Sequence, residues 1–327
     1  MNPMPTSTMV EVLTPIWQRV LQLSSVGVDD NFFDLGGDSA QALQLFNEVA
    51  LACGRELPPV TIYNAPTIAA LAALLEQPTS ARIPPLIQLR AGSDPPVFIA
   101  HGLGGSAMDF FQIVKHIRPA NAIYGMQAKG IDGVEEPLDR IEDMAQYSLD
   151  AVKQVQPHGP YFLIGFSLGG LVVLEMAQQL MAQGEKIGLL AMLDSYPNMR
   201  YLSLAQRARL ATRLAWRWVA SRMQWLGVPA PFRTTIDSPA SPALERFREG
   251  DGLALARYRP RFYLGTINFV RAAIPTDFPA NASAVWSGLA HRCEVETVPG
   301  DHLGMMTVHF EALAAVLSRV LDEASQK

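Results

Sequence analysis

The sequence is poor in cysteine: only Cys53 and Cys293 occur in 327 residues. Two thiols so far apart form neither a metal-ligand spacing nor a disulfide framework, which excludes a stapled secreted module. They are read as buried thiols in a reducing cytoplasm. No apolar run reaches the length of a membrane span. Met1-Asn-Pro-Met-Pro has no basic segment leading into an apolar core, so no secretion signal is expected. Charge is also sparse, at 17% against 49% hydrophobic residues, a composition suited to a sizeable core. Bases are scarcest at the start. Residues 1–77 hold eight acids and only Arg19 and Arg55, a net charge of −6, whereas the remainder has 24 bases and 23 acids, or +1. An acidic first module speaks against nucleic acid as its partner and for docking on basic protein surfaces. The length suggests two domains.

One stretch organises the longer part. Tyr161 to Ile164 is apolar, Gly165-Phe166-Ser167-Leu168-Gly169 follows, and Leu171 to Leu180 has helical spacing. Strand, sharp turn and helix in this order describe a nucleophile elbow. It holds Ser167 exposed at a strand end, with flanking glycines where a Cβ would crowd the turn. Around it, apolar strands alternate with helical patterns. Strands are expected at Leu86 to Leu89, Pro96 to Ala100, Ile123 to Met126 and Ile187 to Asp194, and helices at Met108 to Ile117 and Asp143 to Gln154. The alternation predicts a mostly parallel sheet with helices on both faces and a site at the carboxyl ends of the strands.

Asp194 ends the strand after the one bearing Ser167, where a carboxylate would lie near the nucleophile; a loop-capping role is the alternative. The next strand is expected at Ser283 to Trp286, with no acid after it and Asp277 before it, at its wrong end. Of six histidines, His302 is the one in a loop after the last expected strand, Glu294 to Val298, as the order Ser…Asp…His requires. His309 falls within the expected final helix, Val308 to Leu321. The chemistry would be nucleophilic attack by Ser167, with His302 as base and Asp194 orienting it. The oxyanion would be met by the N–H of Leu168 and by a donor from Gly102-Leu-Gly-Gly105, expected to be Leu103. His101, which opens that loop, is read as structural or substrate-lining.

The first part reads as a helical bundle. Val10 to Leu23 is amphipathic, a second helix with Ala42, Leu43, Leu45, Phe46 and Val49 follows Asp38-Ser39, and Thr67 caps a last helix through Leu75. From the residues alone, an N-cap role accounts for Ser39 as well as any chemistry does. Phe33-Asp-Leu-Gly-Gly-Asp-Ser39, however, closely resembles the phosphopantetheine attachment motif of peptidyl and acyl carrier proteins, with Val28 to Phe33 before it and Pro66-Thr67-Ile68 after it also matching. The resemblance implies that Ser39 is esterified to 4′-phosphopantetheine by a phosphopantetheinyl transferase and that the arm carries an acyl or peptidyl thioester. Asp38 would help bind the metal and coenzyme A at the modifying enzyme.

Residues 96–110, 161–194 and 297–306 resemble the thioesterase domains that end nonribosomal peptide and polyketide synthases. That resemblance implies an α/β-hydrolase fold and release of a carrier-bound chain. His101-Gly102 departs from the His-Pro often found there. The expected architecture is a carrier domain over 8–77, a proline-containing linker over 78–84, and a thioesterase domain over 85–327. Residues 195–265 are expected as a helical lid insertion. Residues 195–236 lack any acid but hold seven arginines (200, 207, 209, 213, 217, 222 and 233), and Leu210, Leu214, Trp218 and Trp225 form an apolar stripe. A basic lid face would attract the acidic carrier or an anionic substrate; a membrane-surface helix is the lesser alternative, and no stable membrane insertion is expected.

The expected function is a terminal release module. The acyl group passes from the Ser39 arm to Ser167 and leaves by hydrolysis or cyclisation. An acyltransferase joining two acyl units and an inactive carrier-docking module are the rival readings. Without an adenylation, condensation or ketosynthase module, the chain would serve upstream synthetase modules as an excised fragment or a separate subunit.

Overall fold

In a computed structural model, residues 6–326 are described apart from Glu56, Pro58, Asn64, 77–83, Gly104, 132–134, Ser203, Gln206, 209–210, 213–241 and 275–280. The first part contains α1 (Thr6–Leu21), α2 (Ser39–Cys53), a 3-10 turn (Pro59–Tyr63) and α3 (Ile68–Glu76). Their apolar stripes converge on a core of Leu13, Trp17, Phe32, Leu45, Val49, Ile62 and Leu71, all fully buried. Trp17 and Phe32 meet edge to face at 5.3 Å, a favourable aromatic geometry. Leu43, expected on the inner face, is instead 52% exposed on the outside of α2. Asp38, not Ser39, caps α2: its carboxylate accepts the Gln41 N–H at 2.8 Å, and the Gln41 side chain accepts the Asp38 N–H at 3.1 Å. This reciprocal capping box leaves Ser39 as the first helical residue.

The second part is a seven-stranded sheet in the order β1-β3-β2-β4-β5-β6-β7. The strands are β1 (Leu86–Arg90), β2 (Ser93–Ala100), β3 (Asn121–Met126), β4 (Tyr161–Phe166), β5 (Ile187–Leu193), β6 (Tyr263–Ala272) and β7 (Ala290–Val298). β1 runs antiparallel to β3, and the other pairings are parallel. Helices α4 (Phe111–His116), α5 (Ile141–Val155) and α6 (Leu168–Ala182), with helices Pro242–Arg257 and Phe310–Ser325, complete the alternation. Successive residues of the central strands enter opposite cores. Phe98, Leu163 and Met192 pack on the α5 and α6 side, while Ile99, Ile164 and Leu193 pack under the C-terminal helix with Leu313 and Leu317. Burial on both faces is why these strands read as continuous apolar runs.

Two expectations fail at the C-terminal side. Ser283 to Trp286 is not a strand but lies in the helix Ala282–Trp286, capped by Asn281, whose Oδ1 accepts the Ala284 N–H at 3.0 Å. An apolar run this short carries no usable period, so strand and helix look alike in it. The strand beside β5 is β6, which begins inside the stretch 195–265 that was expected to hold only a lid. Exposed Leu264 and the polar Thr266, Asn268 and Arg271 break its apolar run. Asp277 therefore follows the strand after β5 rather than preceding it, and it lies outside the described residues, as do linker residues 78–83. Of the lid, residues 213–241 lie outside as well, with Arg213, Leu214, Arg217, Trp218, Arg222, Trp225 and Arg233; so do Arg209 and Leu210. His309 occupies the N-cap position of the final helix, with no side-chain capping bond, rather than sitting within it. Among the described residues no helix is long and apolar enough to cross a membrane.

The first part rests on the second through Phe33 and Tyr63, whose rings lie 4.9 Å and 6.0 Å from that of Phe111. Ile87 and Met108 join the same apolar cluster.

The corrected helix has a measurable consequence. Trp286 is fully buried, and its indole N–H donates to the Ser195 carbonyl at 3.3 Å, directly behind Asp194. Trp286→Ala is expected to cost about 3–5 kcal/mol, read from the urea midpoint, and Trp286→Phe about 1 kcal/mol through loss of the hydrogen bond.

Candidate active site

Ser167 stands between β4 and α6 with φ 53° and ψ −116°, a left-handed conformation that costs a non-glycine residue energy. The surroundings hold it there. Its N–H donates to the Leu193 carbonyl at 2.9 Å, and its carbonyl accepts the Ser195 hydroxyl at 2.6 Å. Three glycines let the backbones close around the turn. A Cβ on Gly165 would lie 2.2 Å from the Gly169 carbonyl oxygen, one on Gly169 2.2 Å from that of His101, and one on Gly170 2.4 Å from the Ser195 side chain. Leu168 opens α6, so its N–H belongs to the first turn, whose donors have no intrahelical acceptor.

Asp194 follows β5, also at positive φ, 45°. Its N–H donates to Val270 of β6 at 2.7 Å, and its Oδ1 accepts the Ala272 N–H at 3.3 Å. The other oxygen, Oδ2, lies 2.8 Å from Nδ1 of His302, whose Nε2 lies 3.1 Å from the Ser167 hydroxyl. His302 stacks on Phe166 at 4.6 Å with the planes 24° apart, which fixes the ring plane. The histidine side chain is 19% exposed and that of Asp194 is 7% exposed. A nearly dry carboxylate on Nδ1 selects the tautomer with its proton there and leaves Nε2 as an acceptor for the serine hydroxyl.

The loop after β2 faces this group. A Cβ on Gly102 would lie 2.8 Å from the Phe166 ring and 3.5 Å from the Ser167 Cβ, so only glycine lets the loop come so close. Leu103 follows in the loop with its side chain 56% exposed, which leaves it no part in the core. His101 is buried, with Nδ1 2.7 Å from the Gly102 carbonyl, and burial pushes its pKa down. It is thus a neutral loop brace, in keeping with a structural role.

Ser167, Asp194 and His302 are therefore brought together, and the Gly102–Gly105 loop lies beside them. Sequence reasoning missed three supports. Phe166 lies inside the elbow motif itself, and Ser195 directly follows the acid, so both had a positional signal. Gln127, just past β3, accepts the Ala107 N–H at 2.6 Å and so anchors the loop from behind; a polar residue at a buried strand end was its only sign. Of the other histidines, His116, His158 and His291 are exposed away from this group. At the carrier motif, Gly36 has φ 91° and a Cβ on Gly37 would run into the Phe32 ring, so the glycines make the turn that sets Ser39 at the start of a 15-residue helix. A helix N-terminus favours a phosphodiester, and no acidic side chain follows in the first turn, so the position fits the phosphopantetheine arm.

A parallel sheet with one antiparallel edge strand, a strained serine elbow after the third strand in the parallel run and an Asp–His pair from the next strand ends define the class: an α/β-hydrolase domain behind a small helical domain. Comparison with known proteins narrows it. Residues 95–321 match the Thioesterase domain family, and residues 11–75 match the Phosphopantetheine attachment site family. The chain belongs to the thioesterase domain family, joined to a carrier domain for covalently attached 4′-phosphopantetheine.

Among its relatives, a dimodular nonribosomal peptide synthase of Bacillus subtilis is 43% identical over 196 residues, 59% of this chain and 8% of that protein. Enterobactin synthase component F of Escherichia coli is 29% identical over 57% of this chain and 15% of its own length. The chain thus spans a small fraction of these relatives. A four-domain nonribosomal peptide synthetase bound to AMP and glycine shares the fold over 98% of this chain and 26% of its own, at TM-score 0.61 and 23% identity. The NocB thioesterase domain does so over 70% of this chain and 96% of its own, at TM-score 0.52 and 24% identity.

The elbow glycines yield a test of the geometry. Gly169→Ala would press a methyl against two backbone carbonyls, those of Ala100 and His101, that cannot move without shifting β2. The variant is expected to lose about 1–3 kcal/mol in urea unfolding and to react more slowly than wild type with a fluorophosphonate probe at Ser167.

Proposed function

We propose that the chain is a terminal release module of a nonribosomal peptide assembly line, in which an acyl or peptidyl chain carried as a thioester at Ser39 is transferred to Ser167 and released. The observation that carries this reading is the continuous relay from the Ser167 hydroxyl through His302 to Asp194, at 3.1 Å and 2.8 Å. Its limits are taken as a carrier over 8–77, a linker over 78–84 and a thioesterase over 85–327. The phosphopantetheine arm supplies the thiol that holds the chain as a thioester.

The chain's own residues do the rest. Ser167 Oγ attacks the thioester carbonyl while Nε2 of His302 takes its proton. The negative oxygen that develops is met by the Leu168 N–H at the start of α6 and by the Leu103 N–H of the opposing loop. When the carbon–sulfur bond breaks, His302 returns the proton to the departing thiolate, and the acyl group stays as an ester on Ser167. A second nucleophile, water or a hydroxyl or amine of the chain itself, is deprotonated by His302 and releases the product, regenerating the serine. Asp194 keeps the imidazole in the required tautomer throughout and stabilises its cation.

Further elements of the proposal are a phosphopantetheinyl transferase that recognises Asp38-Ser39, upstream synthetase modules as partners, and a cytoplasmic setting consistent with the two-cysteine composition.

Intact mass spectrometry tests the reading. With coenzyme A analogues and a phosphopantetheinyl transferase, one acyl-arm is expected on wild type and Ser167→Ala, and none on Ser39→Ala. The acyl group should then leave wild type but persist on Ser167→Ala. Asp194→Asn is expected to lower kcat about ten-thousand-fold. Arm addition to Ser39→Ala, or acyl loss from Ser167→Ala at the wild-type rate, would overturn the assignment.

A further inference from the structure

We propose that the carrier's seat on the hydrolase is a working part of the active site: Phe33 and Tyr63, resting on Phe111 and Met108, hold the oxyanion loop in its catalytic shape. The inference rests on the thioesterase reading and extends it to the state of the hydrolase when its carrier is docked.

The argument follows the chain from the loop outward. Gly102 to Ser106 has three glycines in five residues, and so little side-chain packing of its own to fix its shape. Besides the Gly105 N–H bond to the Gly102 carbonyl at 3.3 Å and the His101 ring against the same carbonyl, it is fixed where it ends. The Ala128 N–H donates to the Gly105 carbonyl at 3.2 Å, the Ala107 N–H to Gln127 Oε1 at 2.6 Å, and the Met108 N–H to the Ser106 hydroxyl at 3.2 Å. Two of these bonds end on the 3-10 turn Ala107–Phe110, which runs directly into Phe111 and α4, and the third pins Gly105 two residues before it. That turn is therefore the loop's foundation. On its inner side lies Gln127, and its outer side is covered by the carrier.

The cover is aromatic and close. The Phe33 ring lies 4.9 Å from both Phe111 and Tyr63, and Met108 and Phe111 are left 8% and 6% exposed. Met108 and Ile87 of the hydrolase belong to the same apolar cluster as the carrier's own Trp17 and Phe32. Lys115 lies 4.0 Å over the Phe111 ring and limits that ring from the solvent side. Without the carrier, this face of the turn would lose its apolar cover, and the glycine loop would lose the support on its outer side.

Phe33 is also the first residue of the Phe33–Ser39 attachment motif. The carrier loop that presents Ser39 thus reaches the hydrolase loop that faces Ser167 through the Phe33–Phe111 contact and the turn Ala107–Phe110. The seat is also made to be left. The Tyr63 hydroxyl is buried in it, has no hydrogen-bond partner among the described residues, and burial drives its pKa upward. A contact carrying such a penalty can be released when the carrier must visit other catalytic sites.

The discriminating substrate is a small soluble acyl thioester that needs no delivery by the carrier. In the full chain, Phe33→Ala is expected to lower kcat for it about five-fold with KM unchanged, because the oxyanion loop and not the substrate pocket is affected. Phe111→Leu, which leaves the carrier untouched, should do the same. Addition of the phosphopantetheine arm to each variant reports that its carrier is folded; if Phe33→Ala fails this check, Phe111→Leu decides.

Turnover of the soluble thioester by Phe111→Leu at the wild-type rate or faster would overturn the proposal, the faster result meaning that the seated carrier obstructs the site. A wild-type chain that neither cleaves the thioester nor reacts with a fluorophosphonate at Ser167 would instead sink the thioesterase reading itself, so the two failures are separable.

Discussion

The imidazole of His302 is the point on which the rest of the hydrolase depends. It bridges a hydroxyl 135 positions away and a carboxylate 108 positions away, at 3.1 Å and 2.8 Å. No local structure can make such a bond pair. It requires that the ends of β4, β5 and β7 lie side by side, with β6 between the last two to set their spacing. β6 takes part directly, since the Val270 carbonyl and the Ala272 N–H are the groups that hold Asp194. Two residues of the relay, Ser167 and Asp194, are held at positive φ. Conformations that cost energy in isolation persist where the packing around them leaves no alternative, and here the close-packed glycines of α6 and the Ser195 hydroxyl supply that constraint.

The carrier extends the same logic to a second domain. Its bundle buries its own core around Trp17 and Phe32, yet its attachment motif begins on Phe33, at the contact with Phe111. The helix that follows starts from a reciprocal Asp38–Gln41 cap, which makes the position of Ser39 a property of the backbone. The acidic balance of this module and the sparse charge of the aromatic contact divide the tasks: charge suits long-range approach to partners, and apolar area suits a short-lived seat.

The strongest signals in the sequence were local. Gly165-Phe166-Ser167-Leu168-Gly169 marks its own turn, because the glycines allow a close backbone path that a Cβ would block. The double-sided burial of β2, β4 and β5 wrote itself as continuous apolar runs, so the parallel sheet was legible. Where a strand was interrupted by polar residues, as in β6, or where an apolar piece was too short to show a period, as in Ala282–Trp286, the reading went astray. That error also misplaced Asp277 relative to the strand after β5. Asp194 was reached by comparing strand ends, and its distance from His302 does not depend on the mistaken strand.

By itself the sequence determined the elements with local causes: the elbow, the start of the carrier's second helix, though with its cap placed one residue late, the apolar strands and the order Ser167, Asp194, His302. Only the tertiary structure decided which strand lies beside β5, that Phe166 stacks on His302, that Gln127 braces the glycine loop, and that Phe33 meets Phe111. The physical reason is the range of the forces concerned. Backbone conformation and hydrophobic period act over a few residues and are written where they act. Contacts between distant segments depend on how closed surfaces fit, and no short stretch of chain contains that information.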